Sequence, residues 1–291
     1  MPTSIIQWFP GHMAKTRRLM KENLKNVDVI IELLDARIPQ SSRNPEIEKL
    51  TEGKPLLTLL NKAALADPSA TERWCAYYKS KGNPCLAVDC VSGKDMEKLM
   101  PAIRALLSDK LERYAQKGMN GRKLRAMVVG IPNVGKSSLI NRLSGGKKAK
   151  VENRPGVTLT PQWVTTSIGL DLMDMPGVLW PRFDNQCIGE NLAITGAIKD
   201  DVVEIESLAI ALCHKLRHQY PALLATRYKF EPEQIQNLSD GELFEFIGRK
   251  RGFLISGGEI NTERTANTLL DEFRSAKIGR ITLDILEGDL C

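Results

Sequence analysis

The sequence predicts an α/β domain, a mostly parallel sheet with helices on both faces, followed by a small all-helical domain. Three observations carry this. The first is Gly130-Ile131-Pro132-Asn133-Val134-Gly135-Lys136-Ser137, a GxxxxGKS pattern. It lies between an apolar run, Ala126–Val129, and a stretch from Ser137 to Leu143 with apolar residues at helical spacing. Strand, glycine-rich turn and helix in that order make a phosphate-binding loop. The second is the alternation of strand-like and helix-like segments ahead of it, which implies parallel pairing through crossover helices. The third is a change near residue 183, beyond which apolar residues recur at helical spacing. The domains are therefore expected at 1–182 and 183–291.

Taken in order, Pro10-Gly11 marks a turn. A helix with a basic face follows, with Met13, Leu19 and Leu24 among its apolar positions. Val27–Asp35 is mostly apolar, as a strand buried on both faces must be. A turn, Asp35-Ala36-Arg37-Ile38-Pro39, and a short helix near 45–51 lead to a second buried strand, Pro55–Leu60, which ends in Asn61-Lys62-Ala63-Ala64. A helix over 68–81, a strand over 84–89, a turn at Ser92-Gly93 and a helix over 95–107 complete the alternation. Residues 109–125 are rich in Lys and Arg and read as a helical extension with a flexible basic link. After the phosphate loop, strands at 162–168 and 170–174 form a hairpin turning at Gly169 and ending in Asp174-Met175-Pro176-Gly177. The helical domain's apolar positions run from Leu192 to Phe273, with one short strand expected at Arg280–Leu283.

A chain of 291 residues has ample core for two domains. No apolar run approaches a membrane span, and the first residues lack the pattern of a secretory signal. The six cysteines (75, 85, 90, 187, 213 and 291) form no C-x-x-C pair, so reduced thiols in a cytoplasmic protein are expected. Charge is uneven: 29 Lys and Arg face 18 Asp and Glu over residues 1–189, against 12 and 17 over 190–291. The basic excess lies in the half with the phosphate loop, where a polyanionic partner larger than a nucleotide is one explanation and a soluble surface the other.

The chemistry of the loop follows from its residue types. Glycines let the backbone approach closely, and the N–H groups of Val134, Gly135, Lys136, Ser137 and Ser138 can turn on an anion. Lys136 is placed to reach the β- and γ-phosphates, and the Ser137 hydroxyl to ligate Mg²⁺. Thr158, 21 residues after Ser137, can add a second Mg²⁺ ligand. Asp174, 37 residues after Ser137, stands where a Mg²⁺-holding carboxylate is expected, and Gly177 can offer its N–H to the γ-phosphate. Together these form a GTPase switch set. No Asn-Lys-x-Asp guanine reader follows downstream; the nearest match, Asn61-Lys62-Ala63-Ala64, lies upstream.

With these residues in view, the chain resembles the circularly permuted GTPases of the YlqF type, the ribosome biogenesis GTPase A family. The resemblance covers essentially the whole chain. It rests on Trp8-Phe9-Pro10-Gly11-His12-Met13, Leu34–Pro39, Asn61–Ala64, Pro132–Ser138, Pro155-Gly156-Val157-Thr158 and Asp174–Pro181. It implies a circularly permuted GTPase domain, in which the base reader precedes the phosphate loop, with GTP and GDP as ligands. It also implies late maturation of the large ribosomal subunit, with that subunit's precursor and ribosomal RNA as partners, and a free protein that is a monomer. Base contacts are implied at Asn61, Lys62, position 64, Asp89 and Cys90. Ras-like enzymes orient water with a glutamine where this chain has Val178; the resemblance places that role at His12, which joins Lys136 and Thr158 as a candidate catalytic residue. The plainer reading is that His12 packs or binds RNA. Asn133 resembles an asparagine that helps hold K⁺ in related GTPases, the alternative being a turn-stabilising residue.

The chain departs from the family where Ala64 replaces the aspartate that accepts from guanine, which lowers the expected selectivity. Asp67, three residues on, is out of register. A second function class therefore stands beside the GTPase switch: an RNA-binding assembly factor with relaxed nucleotide dependence. A general P-loop ATPase is a third. RNA contact is expected from Lys15, Arg17 and Arg18, from Lys147, Lys148 and Lys150, and from Arg249, Lys250 and Arg251.

Overall fold

The computed structural model describes residues 12–51, 53–119, 121–146, 161–180, 183 and 185–286. Thr158, Lys147, Lys148 and Lys150 lie outside them. His12 is the first residue of α1, and its side chain also lies outside what is described.

The sheet has six strands: β1 (Val29–Asp35), β2 (Leu56–Asn61), β3 (Cys85–Ala87), β4 (Leu124–Gly130), β5 (Gln162–Thr165) and β6 (Leu170–Asp174). Their spatial order is β3-β2-β1-β4-β6-β5, all parallel except the β5 edge. The chain enters beside the centre at β1, steps outward to β3, returns to β4, and then fills the other side. The order reverses between β1 and β4, and open α/β sheets bind ligands at such a switch point. Register brings the carboxyl ends together there: Leu33 pairs with Gly130, Asp35 with Asn61 and Val128 with Asp174.

Alternation along β1 decides the faces. Val29, Ile31 and Leu33 enter the large core, while Ile30 enters a smaller one with Met20, Ile47, Met127 and Met173. The smaller core lies beneath α1 (His12–Asn23) and α2 (Pro45–Leu50). A third cluster seats Trp74 and Tyr78 of α3 (Pro68–Ser80) against Leu34 and Leu60. The crossover from β3 to β4 uses α4 (Leu99–Leu106) and α5 (Ser108–Gln116), and α6 (Lys136–Ser144) follows the phosphate loop.

The later part is helical: α7 (Gln186–Ile194), α8 (Ile205–Gln219), α9 (Pro221–Tyr228), α10 (Asp240–Lys250) and α11 (Thr262–Arg274). α8 packs against the other four. The large core runs without a break from the sheet into these helices, from Val128 and Val178 to Leu212 and Phe273.

Two expectations need correction. The strand at 84–89 shortens to 85–87, because Asp89 bends the chain: its carboxylate accepts from Ser92 N at 2.6 Å. The expected strand at Arg280–Leu283 is not a strand. Ile281 N donates to Leu65 O (3.2 Å) and Leu283 N to Arg37 O (2.7 Å), so loop carbonyls satisfy donors that a ladder would otherwise have used. Among the described cysteines, Cys75, Cys85, Cys90 and Cys213 are free. No described helix is long and apolar enough to cross a membrane.

Candidate nucleotide-binding site

The phosphate loop is shaped by close backbone approach. A Cβ on Gly130 (φ +149) would meet Leu33 O at 2.5 Å, and one on Gly135 (φ +105) would collide with Asn61 Nδ2. Lys136 is buried at the first turn of α6, and its ammonium donates to Gly130 O (3.1 Å) and Ile131 O (2.8 Å) of its own loop. Burial pulls its pKa down to about 8, with the Asp174 carboxylate opposing the shift. Ser137 and Ser138 are half-buried beside it.

Asp174 ends β6 and is buried. Three residues on, Gly177 lies against the phosphate loop: an added Cβ would come within 2.8 Å of Pro132 N and 3.0 Å of Lys136 Nζ. Val178 is turned into the core. Its N–H donates to Gly130 O (3.3 Å), and its carbonyl accepts from Asn44 Nδ2 (3.0 Å). The structure thus brings Lys136, Gly177 and the ends of β4 and β6 together, with a serine hydroxyl and a carboxylate in the same element set.

The Asn61–Ala64 side is built differently. Asn61 Nδ2 donates to Val134 O at 2.7 Å and Asn61 Oδ1 accepts from Cys90 N at 3.0 Å, so one amide ties the phosphate loop to the 89–91 segment. Lys62 (φ +61) reaches back to Asp35 Oδ2 at 3.0 Å. Asp35 also accepts two side-chain bonds from Arg37, at 2.9 and 2.7 Å. Burial pushes the Asp35 carboxyl up, but Arg37 and Lys62 more than offset this and hold it well below the usual carboxylate range. Ala64 is exposed. Asp67 is no substitute for the missing carboxylate: it caps α3, accepting from Ser69 N (2.8 Å) and Ala70 N (3.2 Å), and takes the Tyr220 hydroxyl at 3.2 Å. The Asp89 carboxylate is engaged in its own turn.

Three residues hold this site through contacts that the motifs did not signal. Arg142 on α6 donates to Cys90 O (3.2 Å) and to Val91 O, fastening the 89–91 segment to the helix that starts at the phosphate loop. Arg37 is fully buried and also donates to Thr195 O (3.4 Å) and Arg274 O (3.5 Å) at the ends of α7 and α11. Asn133 Nδ2 donates to Gly196 O at 3.2 Å, so the phosphate loop touches the helical part directly. Only the D-A-R-I-P turn was visible in the sequence as a signal for Arg37.

The described basic residues are unequally available. Lys15 is exposed, whereas Arg17 pairs with Glu46 (2.8 Å) and Arg18 with Glu22 (2.8 Å). Arg251 bridges to the buried Glu272 at 3.0 Å, Arg249 donates to Gly258 O at 3.2 Å, and Lys250 donates to Lys229 O at 3.3 Å.

Comparison with known proteins agrees with this geometry. A family model described as "50S ribosome-binding GTPase" matches residues 125–237. Ribosome biogenesis GTPase A of Priestia megaterium is 47% identical over 282 residues, 96% of this chain and 96% of that protein. The protein of the same name from Bacillus licheniformis is 45% identical over 282 residues, 96% and 98% respectively. The crystal structure of GNP-bound YlqF from T. maritima superimposes with a TM-score of 0.64 at 24% identity, covering 94% of this chain and all of that one, a likeness of fold.

Proposed function

The chain belongs to the ribosome biogenesis GTPase A family, and from that premise we propose that it is a nucleotide-gated assembly factor of the large ribosomal subunit, hydrolysing GTP to GDP and phosphate. The observation that carries this reading is the meeting of Lys136, Gly177 and Asn61 around one loop, Gly130–Ser137. Lys136 leaves its two loop carbonyls for the phosphates, whose negative charge offsets the burial that lowers its pKa. Gly177 offers its backbone where no side chain fits. Asn61 holds the phosphate and base halves at a fixed separation. The RNA-binding alternative with relaxed nucleotide dependence is less favoured, because this machinery serves phosphate chemistry.

A serine hydroxyl and a carboxylate are hard oxygen donors of the kind Mg²⁺ takes, so Ser137 and Asp174 would hold it, with Thr158 as a further ligand. When bound, the ion neutralises charge shared between the β- and γ-phosphates. K⁺ at Asn133 would have to use Oδ1, because Nδ2 donates to Gly196 O. Val178 is buried and apolar, so the group that positions water comes from elsewhere, and His12 takes that role. The functional division falls near 182/183. The basic first part supplies most of the affinity for ribosomal RNA, the free protein is a cytoplasmic monomer, and the subunit precursor stimulates turnover. Lys136→Ala tests the core of the reading: hydrolysis should fall to background while circular dichroism and the unfolding midpoint stay near wild type. Full turnover in that folded variant would place the chemistry elsewhere.

A further inference from the structure

We propose that Arg280–Asp284 is a clamp that keeps the base-reading loop in its ligand-binding shape, with Arg280 as its positioning residue. The inference rests on the reading of Asn61–Ala64 as the base-contacting segment. After Asn61 the chain makes an irregular turn until α3 begins at Pro68. Within this turn, Leu65 N donates to Lys62 O (2.8 Å) and Ala63 N to Val88 O (3.2 Å). Much of the rest is held from the far end of the sequence. Arg280 donates through Nη2 to Ala63 O (2.8 Å) and through Nε to Ala66 O (2.9 Å). Ile281 N donates to Leu65 O at 3.2 Å. Thr282 Oγ1 accepts from Asp67 N (3.2 Å) and donates to Ala36 O (3.1 Å).

The clamp is itself anchored. The buried Asp284 carboxylate accepts from Ser41 N (2.7 Å), Ser41 Oγ (2.6 Å) and Asn191 Nδ2 (2.9 Å). The Tyr220 hydroxyl joins it at Thr282, donating to the carbonyl (3.0 Å) and accepting from the N–H (3.1 Å). Arg280, by contrast, is exposed. It gains little from burial, and its rigid fork sets the separation of the two loop carbonyls it grips.

Position 64 makes this grip matter. Ala64 has no polar side chain, so its backbone is all it can offer a base. The Ala63 carbonyl and the Ala64 N–H share one planar peptide. By fixing the first, Arg280 fixes the direction of the second.

The test uses the full-length protein and the fluorescent nucleotide mant-GDP. Arg280→Ala should speed mant-GDP release and raise its Kd by roughly tenfold, the order of one net hydrogen bond. It should raise the KM for GTP by more than it lowers kcat. Arg280→Lys should restore part of the loss, and the unfolding midpoint of Arg280→Ala should barely move. Tyr220→Phe, which loosens the clamp without touching the loop carbonyls, should have a smaller effect on release. If Arg280→Ala folds poorly, Thr282→Val and Arg280→Lys carry the same measurement. Wild-type release rates in a folded Arg280→Ala protein overturn the clamp. Asn61→Ala separates the two ideas: if it leaves mant-GDP affinity unchanged, the base-reading assignment fails and the clamp with it. If it weakens binding while Arg280→Ala does not, the clamp alone fails.

Discussion

The two halves of the site are built on opposite plans. The phosphate half is local: Gly130, Lys136 and Ser137 lie within eight residues, and Lys136 folds onto carbonyls five and six positions away. The half that we propose reads the base is assembled at long range. Asn61 spans to Val134, Asp35 gathers Lys62 and Arg37, Arg37 reaches helices from the far side of the chain, and residues 280–282 hold the loop. The phosphate loop's own shape therefore comes from one strand, one turn and one helix, and Asn61 and Gly177 meet it from elsewhere. The segment that we propose reads the base takes its shape from contacts across the whole fold.

That contrast can be broken by measurement, and the largest effect is expected on the base side. Asp35→Ala leaves the buried Arg37 and Lys62 without their shared carboxylate, and should cost about 3–5 kcal/mol in chemical denaturation. Lys136→Ala should leave the same curve nearly unmoved, although it ends hydrolysis. Comparable losses from both variants would erase the distinction.

Ala64→Asp comes next. Restoring an acceptor for the base should raise the preference for guanine over adenine and inosine nucleotides by about 1–3 kcal/mol in competition binding. An unchanged preference would mean that another group reads the base.

The smallest effect concerns pH. The free protein holds Lys136 at a pKa of about 8, and phosphates bind its protonated form. Affinity should be greatest below that value. As pH rises through it, affinity should fall by up to about tenfold per unit, because the neutral lysine must then take up a proton to bind. A flat profile between pH 7 and 9.5 would remove Lys136 as the titrating group.

The same contrast explains what the sequence disclosed. The phosphate loop, its flanking strand and helix, and Asp174 with Gly177 were readable because each is a contiguous motif. The parallel sheet was readable because its strands are apolar on both faces. Arg142 and Arg280 carried no local signal; an arginine that grips carbonyls looks in sequence like any surface arginine. The turn that Asp89 closes through Ser92 N was likewise not legible from its local sequence. The Arg280–Leu283 run has the alternation of a strand, but whether it has a neighbouring strand to pair with is a property of the tertiary structure. Asp67, already out of register with the missing carboxylate, is used by the fold as a helix cap.

The bonds from Arg280 to Ala63 and Ala66 cross 217 and 214 residues of chain, and this sets an order of events during synthesis. At about 5–20 residues per second, roughly ten to forty seconds separate the appearance of the base loop from that of its holder. Contacts so distant in sequence also close late once both partners exist. The phosphate loop, by contrast, is finished as soon as its own strand and helix can pack. A newly made chain therefore has its phosphate loop in hand before the 280–282 segment can grip the Asn61–Ala64 loop that we propose contacts the base.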